Sequence, residues 1–311
     1  MYVRFGNRPQ RYSGNVVVGI GILILLLMLP VVFIFNNLIF SSNADYETAN
    51  ELKDDYISEY DADDPRLIEH IRAHYLEPPH SLLNDYNLND PSRKDWSHKG
   101  QSLYVADLLN NKRDGFFVEV GGYDGETYSN SLMFEKYYNW TGVLIEPDAR
   151  NLRVLRSKRR RAWVVKGCLE GGPRPKKMKL FGAMETGGLD IHMSLSRKFF
   201  TKLWRPSRQS WVWCFPLAAI LKAVGQTKVD YMVLDIEGAE IDVLKGTDWS
   251  KIDVSVLQIE YMVFQGAFWD KELSLERREL MRNVMASKLP GFEEKGTIFL
   301  DIIYAKKNLT R

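Results

Sequence analysis

The chain has 311 residues, of which 45% are hydrophobic and 12% aromatic. That is ample for a packed core in one large domain or two small ones. A formal net charge of +2 excludes a global electrostatic pull toward nucleic acid, so what charge there is must act locally.

Val16 to Phe35 is an unbroken uncharged run. Roughly 20 apolar residues span a bilayer core as a helix, whereas the apolar part of a cleaved signal peptide is usually about 7–15 residues. Ser42-Asn43-Ala44 offers a cleavage site for that second reading. Arg4, Arg8 and Arg11 precede the run. After it come Asp45, Glu47, Glu51, Asp54, Asp55, Glu59, Asp61, Asp63 and Asp64, opposed only by Lys53. Positive residues stay cytoplasmic. The expectation is a type II signal anchor: a cytoplasmic tail at 1–14, a transmembrane span at 15–40, and the rest in the secretory lumen or outside. Sequons at Asn139-Trp140-Thr141 and Asn308-Leu309-Thr310 agree mildly. In a lumen Cys168 and Cys214, the only cysteines, are free to pair; two buried thiols are an equal alternative.

Residues 41–100 read as an acidic stem carrying one short amphipathic helix, Pro65 to Leu76, stopped by Pro78-Pro79. His70 and His74 stand four apart on it, but without further ligands no metal is expected there. From Gln101 helices and strands alternate. Helices are predicted over Ser102–Leu109, Ser129–Tyr137, Pro147–Arg156, Leu217–Val224, Ala239–Leu244 and Lys271–Ser287. Strands are predicted over Phe116–Val120, Gly142–Ile145, Ala162–Val165, Val229–Leu234 and Val254–Ile259, then a hairpin of Phe292–Lys295 and Ile298–Lys306. Residues 170–213 interrupt the rhythm with β-like runs at Met178–Phe181 and Trp211–Cys214. The pattern implies an α/β domain over 101–306 with a mostly parallel, doubly wound sheet, one antiparallel edge, and a tail at 307–311.

Chemistry concentrates at strand ends. Phe116 to Val120 runs into Gly121-Gly122-Tyr123-Asp124-Gly125, a strand and glycine turn ahead of a helix, where backbone N–H groups meet a ligand. The next strand ends in Glu146, placed to hold ribose hydroxyls. Val229 to Leu234 ends in Asp235-Ile236-Glu237-Gly238, and Gln258-Ile259-Glu260 ends the strand after it. If those two strands are neighbours, Asp235, Glu237 and Glu260 share one rim. Three converging acids can bind a hard divalent cation, act as a general base, or simply organise loops through backbone N–H groups.

Glu119-Val120-Gly121-Gly122-Tyr123-Asp124-Gly125, Leu144-Ile145-Glu146-Pro147-Asp148 and Val229 through Gly246 resemble the FkbM-type methyltransferase family over roughly 101–306. The resemblance implies a class I methyltransferase-like (Rossmann-like) seven-stranded sheet closed by the hairpin, with S-adenosylmethionine as cofactor. It implies that Glu119, Gly121 and Gly125 line the methionine end, that Glu146 holds the ribose, that Lys166-Gly167-Cys168-Leu169 lies by the adenine, and that Asp235, Glu237 and Glu260 face the reacting methyl. Two departures stand out: Gly122-Tyr123 replaces a common Ala-Asn, and Leu234 a common Lys. Within the family the anchor, the acidic stem and Val212 to Leu217 look most like the Star group of animal proteins. That likeness implies a single-pass membrane protein of the endoplasmic reticulum, Golgi and endosomes, acting in transport of cargo such as growth-factor precursors. A luminal O-methyltransferase acting on a sugar or protein hydroxyl is the alternative.

The dense basic runs Lys158-Arg159-Arg160-Arg161 and Arg174 to Lys179 read as solvated faces, or as sites for an acidic glycan, an acidic cargo segment or the chain's own stem. Nucleic acid is not expected for a luminal domain. Trp204, Trp211 and Trp213 fall in the same insertion, either as an exposed cluster or as packing.

Overall fold

A computed structural model describes residues 54–81, 85–182, 187–204, 207–265 and 268–309. The expected span at 15–40 lies outside them, as do the tail at 1–14 and the start of the stem; among the described residues no helix is long and apolar enough to cross a membrane. The described residues belong to one unit, Lys53–Arg311.

In chain order the elements are α1 (Pro65–His74), β1 (Leu76–Glu77), α2 (Gln101–Leu108), β2 (Phe116–Val120), α3 (Leu132–Tyr138), β3 (Thr141–Glu146), α4 (Ala149–Ser157), β4 (Trp163–Lys166), β5 (Cys168–Glu170), β6 (Lys176–Gly182), β7 (Gly188–Leu189), α5 (Leu195–Trp204), β8 (Arg208–Pro216), α6 (Leu217–Val224), β9 (Lys228–Leu234), α7 (Glu240–Gly246), β10 (Asp253–Glu260), β11 (Phe264–Gln265), β12 (Phe268–Trp269), α8 (Lys271–Lys288), β13 (Phe292–Ile298) and β14 (Asp301–Lys306).

The main sheet has the order β1-β4-β3-β2-β9-β10-β14-β13. β4, β3, β2, β9 and β10 are mutually parallel, while β14 runs against β10, β13 against β14 and β1 against β4. Eight strands in a mixed sheet therefore replace the seven mostly parallel ones expected. The extra strand is Leu76–Glu77, which covers the outer edge of β4 directly after α1 and so removes an open edge. Alternate residues of the central strands feed two cores: Val118, Val120, Met232 and Leu234 on one face, Phe117, Tyr231 and Val233 on the other.

The hairpin also differs. β13 continues through Lys295-Gly296-Thr297 instead of turning there, and the chain reverses at Phe299-Leu300. The glycine serves a register shift at Glu294/Gly296, where a Cβ would stand 2.9 Å from the Tyr104 hydroxyl. Residues 168–216 build a second sheet of their own, β5-β8-β6-β7. Cys168 and Cys214 are register partners in it and form a disulfide, which resolves the open alternative in favour of pairing. Of the insertion's tryptophans, Trp213 is buried and Trp211 exposed.

The described part of the stem packs on the domain. Leu67 and Ile71 of α1 are buried in the same core as Leu217, Ile220 and Leu221 of α6. Arg72 donates to the carbonyls of Ala223 (2.8 Å) and Lys222 (3.0 Å), closing the end of α6. Asp63 binds Lys222 and Lys251, Asp61 binds Arg174, and Asp55 meets Lys177. The second basic run thus meets the chain's own stem at Arg174 and Lys177.

The first basic run turns inward. Lys158 pairs with Glu126 at 2.7 Å, both nearly buried, and Arg160 pairs with Glu135 at 2.9 Å, both side chains fully buried. Removing one partner of a buried pair strands the other charge and costs about 3–5 kcal/mol. Arg160→Met is expected to lower stability by that amount in urea unfolding, whereas Lys176→Ala, at an exposed pair, should cost less than about 1 kcal/mol. Cys214→Ala should cost about 2–4 kcal/mol by the same measurement.

Candidate active site

One cleft opens at the carboxyl ends of β2, β3 and β9, roofed by β5, β6 and β7 of the insertion. Gly121 forms its floor with φ of +90°; a Cβ there would lie 2.1 Å from the backbone oxygen of Asp235, so only glycine lets the loop cross the end of β9. Tyr123 follows with φ of +46° and lines the cleft. Gly125 is not among the lining residues. It lies against Leu155, and its carbonyl accepts from Arg160 at 2.6 Å, so its part is to turn the loop.

Glu119 reaches the cleft wall, but its buried carboxylate is already engaged. It accepts from the Ser129 hydroxyl (2.9 Å), the Asn130 N–H (2.6 Å) and the Ser131 hydroxyl (2.5 Å). That clasp holds residues 129–131 out of α3, which therefore starts at Leu132 and not at Ser129 as its spacing predicts. It also sets Asn130 into the cleft wall with a buried Oδ1 that has no partner.

Glu146 lies opposite. Its Oε1 accepts from the Asp148 N–H (2.8 Å) and the Asn151 amide (3.2 Å), and its Oε2 accepts from the Tyr123 N–H (2.8 Å). Oε2 keeps one lone pair for a ligand. Burial raises the acid to about 8 even though those donors oppose the shift. Cys168 and Leu169 follow β4 into the wall beside it, with the Cys168 sulfur committed to the disulfide.

β9 and β10 are neighbours, with Leu234 opposite Ile259, so Asp235 and Glu260 end adjacent strands. The two carboxyl groups act on each other across the strand ends. Burial raises both, and the neighbouring Glu237 charge raises both further. Two buried acids that interact in this way titrate as a unit. Asp235 and Glu237 open onto the cleft; Glu260 stands behind Asp235, outside the lining. Glu237 sits at φ of +57° and binds Arg197 of α5. Burial raises its carboxyl while the Arg197 charge opposes. Among the described residues no group of three or more His, Cys, Asp or Glu is arranged to hold a metal ion.

Several rim residues escaped the sequence reading. Asp301 is the register partner of Glu260 and accepts from Gln101 at 2.7 Å; burial raises it to about 6. Glu240 accepts from the N–H of Ile236 (2.8 Å) and binds Arg277 of α8, closing the turn after β9. Leu234, where the family often has lysine, is fully buried in the core, and Arg197 brings a cation to the rim from the insertion instead. The acidic strand ends are visible in the sequence. Their cationic partners lie on helices far along the chain and carry no local signal.

Among solved structures the chain is similar to the methyltransferase FkbM of Methylobacillus flagellatus KT, at 13% identity and a TM-score of 0.38, over 68% of this chain and 56% of that one. It is also similar to fibrillarin of Aeropyrum pernix in complex with natively bound S-adenosyl-L-methionine, at 12% identity and a TM-score of 0.36, over 71% of this chain and 86% of that one. A TehB-like SAM-dependent methyltransferase of Corynebacterium glutamicum gives 12% identity and a TM-score of 0.34, over 68% and 89%. The chain thus spans little more than half the length of the first of these. No curated protein matches. A family model described as the methyltransferase FkbM domain matches residues 119–289, from β2 past the end of α8. That stretch is more than half of the chain and contains the glycine loop, Glu146 and the acidic rim, and on it the chain belongs to the methyltransferase FkbM domain family.

Proposed function

We propose that the cleft binds S-adenosylmethionine and that the chain transfers its methyl group to an acceptor hydroxyl. The observation that carries this is that the glycine loop, Glu146 and Asp235 open onto one cleft at the strand ends. The residues suit the cofactor. Glu146 Oε2 keeps a lone pair for a ribose hydroxyl, and the partnerless Asn130 Oδ1 is placed to accept from an amino group beside Gly121. S-adenosylmethionine supplies, when bound, a methyl group on a sulfonium. The chain's own part is alignment and proton removal. Asp235, with Glu260 on the adjoining strand, takes the acceptor proton, and Arg197 holds Glu237 nearby.

A second reading concerns where this happens. The Cys168–Cys214 disulfide favours an oxidising compartment and so supports a domain in the secretory lumen behind an anchor at 15–40. A Star-like part in export of membrane cargo belongs to that setting. Asn139 and Asn308 are both exposed. Glycans on both are expected when the full chain is expressed in secretory cells. Unmodified asparagines, with cargo export normal after deletion of the chain, would remove this reading.

Titration calorimetry of the full chain with S-adenosylmethionine tests the enzyme. Binding should weaken about 10- to 100-fold in Glu146→Ala, the effect of losing a hydrogen bond to a charged group. Asp235→Asn should keep binding and lose transfer. No heat with the unaltered chain sinks the proposal. Ribose hydroxyls favour the ionised Glu146, so binding at pH 7 should release a proton and tighten toward about pH 8. The same acid sets the sign of stability. Its folded value lies above its unfolded 4.5, so its contribution is greatest below about 4.5 and declines as pH rises to about 8. The slope is up to about 1.4 kcal/mol per pH unit. Glu146→Gln should flatten it in urea melts.

A further inference from the structure

We propose that Tyr128, His98 and Phe299 form the acceptor subsite of the cleft, and that they receive a pyranose-like ring, a neutral polyol with one apolar C–H face. The proposal rests on the methyl-transfer reading above and adds the acceptor's class.

Three rings meet beside the cleft. His98 lies 4.4 Å from Tyr128 between centroids, tilted 33°, and 4.9 Å from Phe299 at 83°. Tyr128 lines the cleft itself. Phe299 stands two residues before Asp301, the register partner of Glu260, and Asp235 ends the adjoining strand. Through Tyr128 the ring cluster adjoins the cleft onto which Asp235 and Glu237 open.

Their backbone is costly. Tyr128 has φ of +59° and Phe299 φ of +55°, a region bulky residues avoid. Both are held there. The three residues after Tyr128 are clasped by Glu119, and the carbonyls of Phe299 and Leu300 accept from the hydroxyl and N–H of Tyr261 at 3.3 and 2.9 Å. A turn needing positive φ for shape alone is best served by glycine. Aromatic side chains at both places, 48% and 49% exposed, answer a need for the rings themselves.

The surroundings suit a ring with one apolar face. A pyranose offers C–H groups to stack on an aromatic face and hydroxyls that both donate to and accept from carboxyl groups. The rim supplies such carboxyl groups at Asp235 and Glu237, both open to the cleft that Tyr128 lines.

Saturation-transfer NMR on the full chain, without cofactor, tests this with methyl β-D-glucopyranoside, methyl α-D-mannopyranoside and tetramethylammonium as probes. The pyranoside ring protons should receive saturation, and Tyr128→Gly and Phe299→Gly should each cut it at least fivefold. Because glycine relieves the positive φ, the thermal midpoint of both variants should hold or rise, and Phe299→Trp should restore the signal. Saturation of tetramethylammonium alone, of no probe, or of pyranosides equally in both glycine variants overturns the proposal. Pyranoside binding by a chain that gives no heat with S-adenosylmethionine would remove the methyl-transfer reading and leave the ring-binding site standing.

Discussion

The buried carboxylate of Glu119 is the point on which the cleft depends. It lies near the end of β2 with no cation in direct contact, and its charge is met by the hydroxyls of Ser129 and Ser131 and the N–H of Asn130. The same two hydroxyls accept from Arg160, at 3.3 and 2.9 Å, and Arg160 pairs with Glu135 of α3. A chain of hydrogen bonds therefore runs from Glu119 through two serines to Arg160 and on to Glu135, all out of water. A buried polar network is stabilising only when every member is satisfied, and a partly satisfied one is worse than an apolar core. This one binds the loop after β2, the start of α3 and the chain after α4 into a single piece. The position of Asn130 in the cleft and the strained backbone of Tyr128 both follow from it.

The rim has the opposite problem, too many acids in one place. Asp235, Glu237, Glu240, Glu260 and Asp301 crowd the ends of β9 and β10 and the start of β14. Arg197 comes from the insertion and Arg277 from α8 to meet two of them. Both arginines take the acids nearest the turn after β9. Asp235 and Glu260 are left to each other, and burial raises both. The cations fix the shape of the turn, while the acid pair keeps its capacity to exchange a proton. A lysine beside Asp235 would have drawn that pair toward the fully ionised state.

Much of this was legible in the sequence. Buried strands ending in acids and a glycine loop locate the cleft, because strand pattern and strand order place carboxyl ends together. Asp235 and Glu260 were expected on one rim only if their strands were neighbours, and β9 and β10 are. Local pattern gives composition but not direction. Lys158 to Arg161 has the composition of a solvated face, yet Arg160 is fully buried, because Glu135 lies a strand and a helix away in sequence and adjacent in space. Leu76 of β1 was read as the end of a helix because a two-residue strand carries no period. Phe299 was placed inside a strand because the bulge at Gly296 shifts the turn without altering the hydrophobic pattern. The disulfide was undecided because it depends on the register of β5 against β8, which only the folded insertion sets.

The insertion explains how a doubly wound sheet becomes a roofed site. β5 leaves the main sheet directly after β4, and β8 returns to it through α6. Cys168 and Cys214 lock those two crossing points together, and Arg197 ties the far side of the insertion to Glu237. A roof held at both ends closes the cleft over Glu146 and Cys168, on the side of β3 and β4. The roof reaches the β9 side as well: Gly188 lies against Glu237, and Arg197 stands over the Phe264 ring just past β10. The insertion therefore spans the cleft from Glu146 to Glu237.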